Sequence, residues 1–155
     1  MDNRKIPRRY IPLGLSKRDS MKQRKGIVRS RKNYTKGIYT NRPHVSSFVS
    51  KSSPHIFRAT SLYGVPTMKP TPTLARATGC KKSVLKKIIN KGEGAYYSSG
   101  SRPNQSAQSW GYARLGSAIT GGPASQVDYK ILKKGCSPKS IALKNANRTR
   151  KNYGK

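Results

Sequence analysis

"KGEGAYYSSGSRPNQSAQSWGYARLGSAITGG", residues 91–122, is the stretch on which the fold turns. The chain around it is crowded with Lys and Arg. Here adjacent Tyr96 and Tyr97, Arg102 before a proline, and Trp110, the only tryptophan, sit among Gly, Ser and Ala. Its second half has helical spacing from about 106 to 120. Ala107, Trp110, Ala113, Ala118 and Ile119 make a small-residue face with one large anchor, and Gly121–Gly122 ends it. A chain poor in apolar residues needs large side chains to bury enough area, so Trp110 is expected at the packing centre. Tyr96 and Tyr97, read as extended, point to opposite faces, so only one of them can pack or bind. The competing reading makes Tyr96, Tyr97 and Trp110 a stacking platform for exposed bases, with Arg102 and Arg114 on phosphates. On the packing reading "SSGSRPNQS" becomes an ordered loop that delivers Arg102 to a partner or across the module. Arg114, between Ala113 and Leu115, then suits a partly buried bridge to Asp128, Glu93 or helix C-terminal carbonyls.

Three more helices are expected around this one. "GCKKSVLKKIINKG" (79–92) puts Cys80, Val84, Leu85, Ile88 and Ile89 on one face, with Lys81, Lys82, Lys86 and Lys87 away from it and Gly92 as terminator. "SQVDYKILKKG" (125–135) has Ser125 and Asp128 as a start signal and Lys133, Lys134 and Gly135 as an ending. "SPKSIALKNANRTRK" (137–151) offers Ser137 as cap and Pro138 in the first turn, with Ile141, Ala142 and Leu143 inward. The fold class is therefore mainly α: a small bundle of about four short helices over residues ~79–148. Helix, Gly-Gly, helix over 106–134 also has the outline of a helix-turn-helix, in which Gln126 alone has base-edge chemistry.

Before the bundle lies a basic helix, "SKRDSMKQRKGIVRSRKNYTKG" (16–37), where Ser16 can cap and Asp19 can answer it. Met21, Ile27, Val28 and Tyr34 make only a sparse stripe, so this helix needs an acidic surface to lie against. Residues 1–15 read as an extended basic arm held open by Pro7 and Pro12. "GIYTNRPHVSSFV" (37–49) can form a short hairpin. Residues 53–64 read as a short helix with Pro54 at its start, Gly64 at its stop, and Ile56, Phe57 and Tyr63 for packing. "GVPTMKPTPT" (64–73), with three prolines, reads as a semi-rigid connector and places the domain boundary. The expected organisation is arm 1–15, basic helix 16–37, hairpin, short helix and linker 38–73, compact α module 74–148, and basic tail 149–155.

The charge balance narrows the function classes. Among 155 residues, 34 Lys and Arg stand against 4 Asp and Glu, a net charge of +30. Acids that scarce cannot neutralise the bases internally, so the natural complement is polyanionic: nucleic acid first, then an acidic protein face, then an anionic membrane surface. On the usual count, with Gly included and Tyr omitted, the apolar fraction is roughly 36%, against about 45–50% for globular domains. A core that thin cannot order the whole chain without a partner. The candidate polyanion- or partner-binding residues are Arg8, Arg9, Arg24, Lys25, Arg29, Arg31, Lys32, Arg102 and Arg114, with Tyr96, Tyr97 and Trp110 as the aromatic loop set.

Enzymology is disfavoured, because acid–base work needs positioned titratable pairs and the chain has four carboxylates and two histidines, His44 and His55. A Cys/His pair has no local support. No glycine run has P-loop spacing, and the Cys and His residues lack zinc-ligand spacing, so no catalytic residue, metal or cofactor is expected, and no small-molecule substrate. Cys80 and Cys136 read as two reduced thiols of an intracellular protein. The N-terminus lacks a signal-peptide apolar run and no stretch approaches ~20 apolar residues, so neither secretion nor a membrane span is expected.

"RYIPLGLSKRDSMKQRKGIVRSRKNYTKG" (9–37), "KSSPHIFRATSLYG" (51–64) and residues 91–136 resemble a group of small basic proteins of large double-stranded DNA viruses of algae and protists (giant viruses, or nucleocytoplasmic large DNA viruses), a domain of unknown function. The resemblance implies a viral protein resident in the virion and carries no activity or catalytic residues. Joined to the charge, it leads to a non-enzymatic structural role, as a minor capsid or cementing component whose basic arms grip an acidic surface. The partners expected are other capsid proteins or the packaged double-stranded DNA, with the inner membrane surface as a third acidic face. The alternative is a sequence-nonspecific DNA-binding, genome-condensing core protein.

Overall fold

The computed structural model describes residues 5–153, and they are mainly helical, with no strand among them. The helices are α1 (Lys17–Tyr34), α2 (Pro54–Tyr63), α3 (Pro72–Thr78), α4 (Lys82–Ser98), α5 (Ala107–Ile119), α6 (Ala124–Val127), α7 (Tyr129–Gly135) and α8 (Ile141–Tyr153). The chain forms two compact units, each discontinuous in sequence. The first comprises the residues up to Lys51 with Glu93–Trp110; the second comprises Ser52–Gly92 with the residues from Gly111 onward. The limits do not fall at the Pro-rich segment 64–73, because Val65 and Met68 are buried there and Thr71 caps α3, accepting a hydrogen bond from Leu74 N. That segment belongs to the core of the second unit rather than linking two bodies.

The second unit has a conventional apolar core. Val84, Leu85, Ile88 and Ile89 of α4, on the face the spacing marks out, meet Leu115, Ala118 and Ile119 of α5, Leu132 of α7, and Ala142, Leu143 and Ala146 of α8. α2 begins at Pro54 and ends at a left-handed Gly64, as its punctuation indicates; it contributes Ala59, while Phe57 stays exposed. α8 starts three residues later than a Ser137 cap would place it. Ser140 Oγ accepts the Leu143 N–H at 3.2 Å, which turns Ile141 outward and Ala142 and Leu143 inward. Cys80 and Cys136 form a disulfide in this core, against the expectation of free thiols. Backbone hydrogen bonds from Lys81 to Gly135 and from Ser137 to Gly79 flank the bridge. A Cβ on Gly135 would lie 1.9 Å from Val84 Cγ2, so only glycine allows this approach.

The helix expected over 125–135 is interrupted. Asp128 leaves helical geometry (φ −101°, ψ 17°) between α6 and α7. Its buried carboxylate accepts from Arg114 Nε at 2.9 Å and Nη2 at 2.8 Å and lies 3.4 Å from Lys91 Nζ. The pairing with Asp128 raises the pKa of Arg114. Ser125 is buried rather than capping. α6 is a four-residue turn, and Gln126 Nε2 donates to Ala146 O at 3.0 Å, so the helix-turn-helix outline has no recognition helix behind it.

The first unit is built differently. Its buried apolar residues are few: Tyr10, Leu15, Ile27, Val45, Tyr96 and Ala107. Polar side chains fill the rest and terminate on backbone. Gln23 Nε2 donates to Tyr10 O and Ser101 O (3.2 Å each), Ser30 to Tyr97 O (2.9 Å) and Arg31 Nε to Ser99 O (2.8 Å). Residues 5–15 are accordingly not a free arm. A 3-10 turn at Arg8–Tyr10 buries Tyr10 against the edge of Trp110, with centroids 5.9 Å apart. Residues 37–49 form no hairpin. Asn104, at φ 62°, bonds Val45 N, Val45 O and Phe48 O through its amide, taking backbone groups that a ladder would use.

α4 runs past the expected stop at Gly92 to Ser98. A glycine costs a helix about 1 kcal/mol relative to alanine, whereas complete burial of a large aromatic contributes roughly 2–3 kcal/mol. Tyr96, at 1% exposure, wins that comparison. It, not the half-buried Trp110, is the anchor of this unit, and the helical register keeps Tyr96 and Tyr97 edge to face at 5.1 Å.

Arg42 locks this arrangement. Its guanidinium lies 3.7 Å from the centre of the Tyr96 ring and donates to Tyr96 O (2.6 Å), Ser30 Oγ (3.2 Å) and Ser101 Oγ (2.6 Å). Burial pulls its pKa below the ordinary arginine value. Arg42→Ala should lower unfolding free energy by on the order of 2–3 kcal/mol, through the lost cation–π contact and the polar groups left without their donor. Denaturant unfolding followed by Trp110 fluorescence reads this; an unchanged midpoint would contradict it.

Candidate polyanion-binding face

α1 presents the outer surface of the first unit's basic region. Ser16 caps it, accepting the Asp19 N–H at 3.1 Å, as the capping signal indicates. The Asp19 carboxylate, however, turns chiefly to Ser47. Ser47 donates to its Oδ2 from both backbone N (2.9 Å) and Oγ (2.6 Å), and Ser47 Oγ accepts the Ser16 N–H (3.0 Å). These bonds from Ser47 hold the Asp19 carboxyl below its ordinary pKa. A carboxyl depressed on folding stabilises above its unfolded value and loses that contribution as pH falls through the folded one. Stability should therefore decline below about pH 3.8. The decline should be shallower in Asp19→Asn, measured by acid titration of the helical signal; identical profiles would contradict it.

With 100° per residue, Asp19, Gln23, Ile27, Ser30 and Arg31 make the buried side of α1. The opposite arc, about 160° wide, carries exposed Lys17, Arg18, Lys22, Arg24, Lys25, Arg29 and Lys32, with Met21 and Val28 among them. From residue 17 to 32 the arc is roughly 23 Å long at 1.5 Å rise per residue. Lys22 Nζ also donates to His44 O at 2.9 Å. Because Asp19 is turned inward, this face carries bases with no acid among them.

The sequence-derived residues divide accordingly. Arg24, Lys25, Arg29 and Lys32 lie on the α1 arc; Arg8, Arg9 and Arg102 are exposed elsewhere in the same unit, with Arg9 stacked at 4.8 Å over Tyr10. Arg31 is a correction, buried with its Nε on Ser99 O. Arg114, partly buried, makes the bridge to Asp128 that its sequence context suits, so its guanidinium is engaged within the fold rather than with a partner. The three-residue aromatic platform also fails as composed, since Tyr96 is buried and Trp110 packs on Tyr10; Tyr97 instead meets Tyr34 and Tyr39. Sequence reasoning missed Arg42, Tyr39 and the role of Tyr34. The interleaving of tyrosine and base over 34–42 (Tyr34, Lys36, Tyr39, Arg42) was the available signal. Both cysteines are tied in the disulfide, so the Cys/His pair has no thiol to use.

Residues 7–147 match DUF5824, described as a family of unknown function. The chain belongs to that family. No curated protein and no solved structure matches it. The matched span of this DUF5824 member includes all of α1, the loop around Arg102 and the disulfide, so it covers most of both units and stops within α8. Among its described residues no group of three or more His, Cys, Asp or Glu could hold a metal, and no helix is long and apolar enough to cross a membrane.

Proposed function

We propose that this DUF5824 protein is a non-enzymatic structural component of a large DNA virus particle, a minor capsid or cementing protein, that docks on acidic surfaces through Lys and Arg. The observation that carries the docking is the outer arc of α1, seven exposed bases on a helix whose buried side is pinned by hydrogen bonds. A helix so anchored presents its charges without paying the ordering entropy a free arm would face. The virion setting rests on the resemblance of residues 9–136, and the basic residues outside α1 supply additional contacts.

Packaged double-stranded DNA as the acidic partner is the second reading, favoured by the straight basic arc, whose length and polarity suit contact with successive phosphates. Binding of the full chain to polyglutamate, to a random DNA duplex and to neutral dextran separates these readings. Sub-micromolar affinity for either polyanion near physiological salt, with none for dextran, supports docking, and the tighter of the two names the partner class. Gentle disruption of particles, followed by assay of the shell and DNA fractions, tests the virion role; absence from both overturns it.

A further inference from the structure

α1 ends at Tyr34 and the chain then reverses. Gly37 N–H donates to Tyr34 O (3.0 Å), Ile38 N–H to Asn33 O (2.9 Å), and Asn33 Nδ2 to Thr40 Oγ1 (2.8 Å). The reversal returns Tyr39 to the helix end, where its ring centre lies 5.1 Å from Tyr97 at 29° and 6.0 Å from Tyr34 at 38°. Tyr34 and Tyr97 are 6.4 Å apart and nearly parallel, at 10°. Three rings from separate segments thus cluster, Tyr97 stacked with both others and Tyr39 tilted from Tyr34, backed by buried Tyr96 and its Arg42 clamp.

The cluster is open. Tyr39 is 68% exposed although one ring face lies against Tyr97, so its other face is in water, and Tyr34 is 37% exposed. Exposed Lys36 lies in the reversal, between Tyr34 and Tyr39 in the chain. Glu93, one turn before Tyr97 on α4, is the nearby acid. Burial, then Tyr96 and Glu93, raise the Tyr97 hydroxyl above its ordinary pKa, so it stays a neutral phenol and adds no negative charge at neutral pH.

We infer that Tyr39, supported by Tyr97 and Tyr34, is a stacking site for an unpaired base of single-stranded nucleic acid, with Lys36 on an adjoining phosphate. The phosphate part rests on the polyanion reading; the stacking part rests on the rings. A flat exposed π face with a lysine in the same reversal is complementary to a nucleotide, whose base uses the ring and whose phosphate uses the cation. Stacking tolerates any base, so the site distinguishes unpaired from paired strands rather than one sequence from another.

The test uses the full chain, fluorescence anisotropy and four ligands of about 12 nucleotides at one salt concentration: oligothymidylate, oligouridylate, an abasic phosphodiester chain and a duplex. Stacking contributes about 1–3 kcal/mol per base, so both base-bearing single strands should bind at least about fivefold tighter than the abasic chain. Tyr39→Ala, at an exposed position, should abolish that preference and leave duplex binding unchanged, and Tyr39→Phe should restore it. Equal affinity of the parent for oligothymidylate and the abasic chain overturns the site, as does a Tyr39→Ala variant that weakens all ligands alike. If the parent binds neither duplex nor abasic chain, the polyanion reading fails by itself. A Tyr39-dependent oligothymidylate complex would then still support the stacking site, and its absence would overturn it.

Discussion

Replacing Arg24, Lys25, Arg29 and Lys32 together by Gln should weaken binding of a random DNA duplex about 10³-fold near 0.15 M salt. Each phosphate contact to duplex DNA contributes a slope of about 0.9 in log K against log salt, so four contacts at that concentration amount to nearly three decades. The substitutions remove charge while leaving structure in place: all four side chains are exposed, and Gln has a helix propensity close to those of Lys and Arg. Anisotropy titration with a labelled duplex measures the change, and an unchanged helical signal shows that α1 survives. A loss under threefold would move the docking surface away from α1. The contrast with the internal arginines is part of the expectation. Arg31 and Arg114 are equally basic in sequence, yet their loss should register in unfolding, because each satisfies buried acceptors.

Converting Cys80 and Cys136 to Ser should cost about 4 kcal/mol of unfolding free energy, the chain-entropy value for a bridge of this span. The cysteines are 56 residues apart, and the bridge joins the start of α4 to the end of α7 inside the apolar core of the second unit. Opening it returns loop entropy to the unfolded chain and leaves two buried hydroxyls where sulfurs had packed. Denaturant unfolding in the presence and absence of reductant gives the same difference by an independent route. Two thiols titrating in the unreduced native protein, or stability indifferent to reductant, would contradict it.

Local punctuation was legible wherever a single residue decides the outcome: Ser16 at the start of α1, Pro54 and Gly64 around α2, and the limits of α5. The apolar face of α4 was legible too, since its period is regular. Features settled between distant segments were not. Gly92 looks like a terminator until Tyr96 is seen to be buried, and Asp128 looks like a start signal until Arg114 takes its carboxylate. Arg42 counts as one more surface base in sequence, although its acceptors come from Ser30, Tyr96 and Ser101. Two lone cysteines carry no pairing signal, and composition weighed them as thiols.

The low apolar content suggested a basic region unable to order itself, which overlooked how much a polar core can do. Hydrogen bonds from side chain to backbone satisfy groups that would be costly to bury bare. In the first unit Gln23, Ser30, Arg31, Arg42 and Asn104 all work this way, so the described basic region is folded where an arm was expected. The candidate face was thus half legible: the bases on α1 could be named, but which of them point outward follows from where Asp19 and Gln23 are tied down.

The most direct test of the docking claim is the salt dependence of duplex binding by the intact chain, titrated from about 0.05 to 0.3 M salt. Seven exposed bases on α1 predict log K falling with log salt at a slope near −6. A slope shallower than about −1, or no complex at the lowest salt with polyglutamate unbound as well, would contradict it.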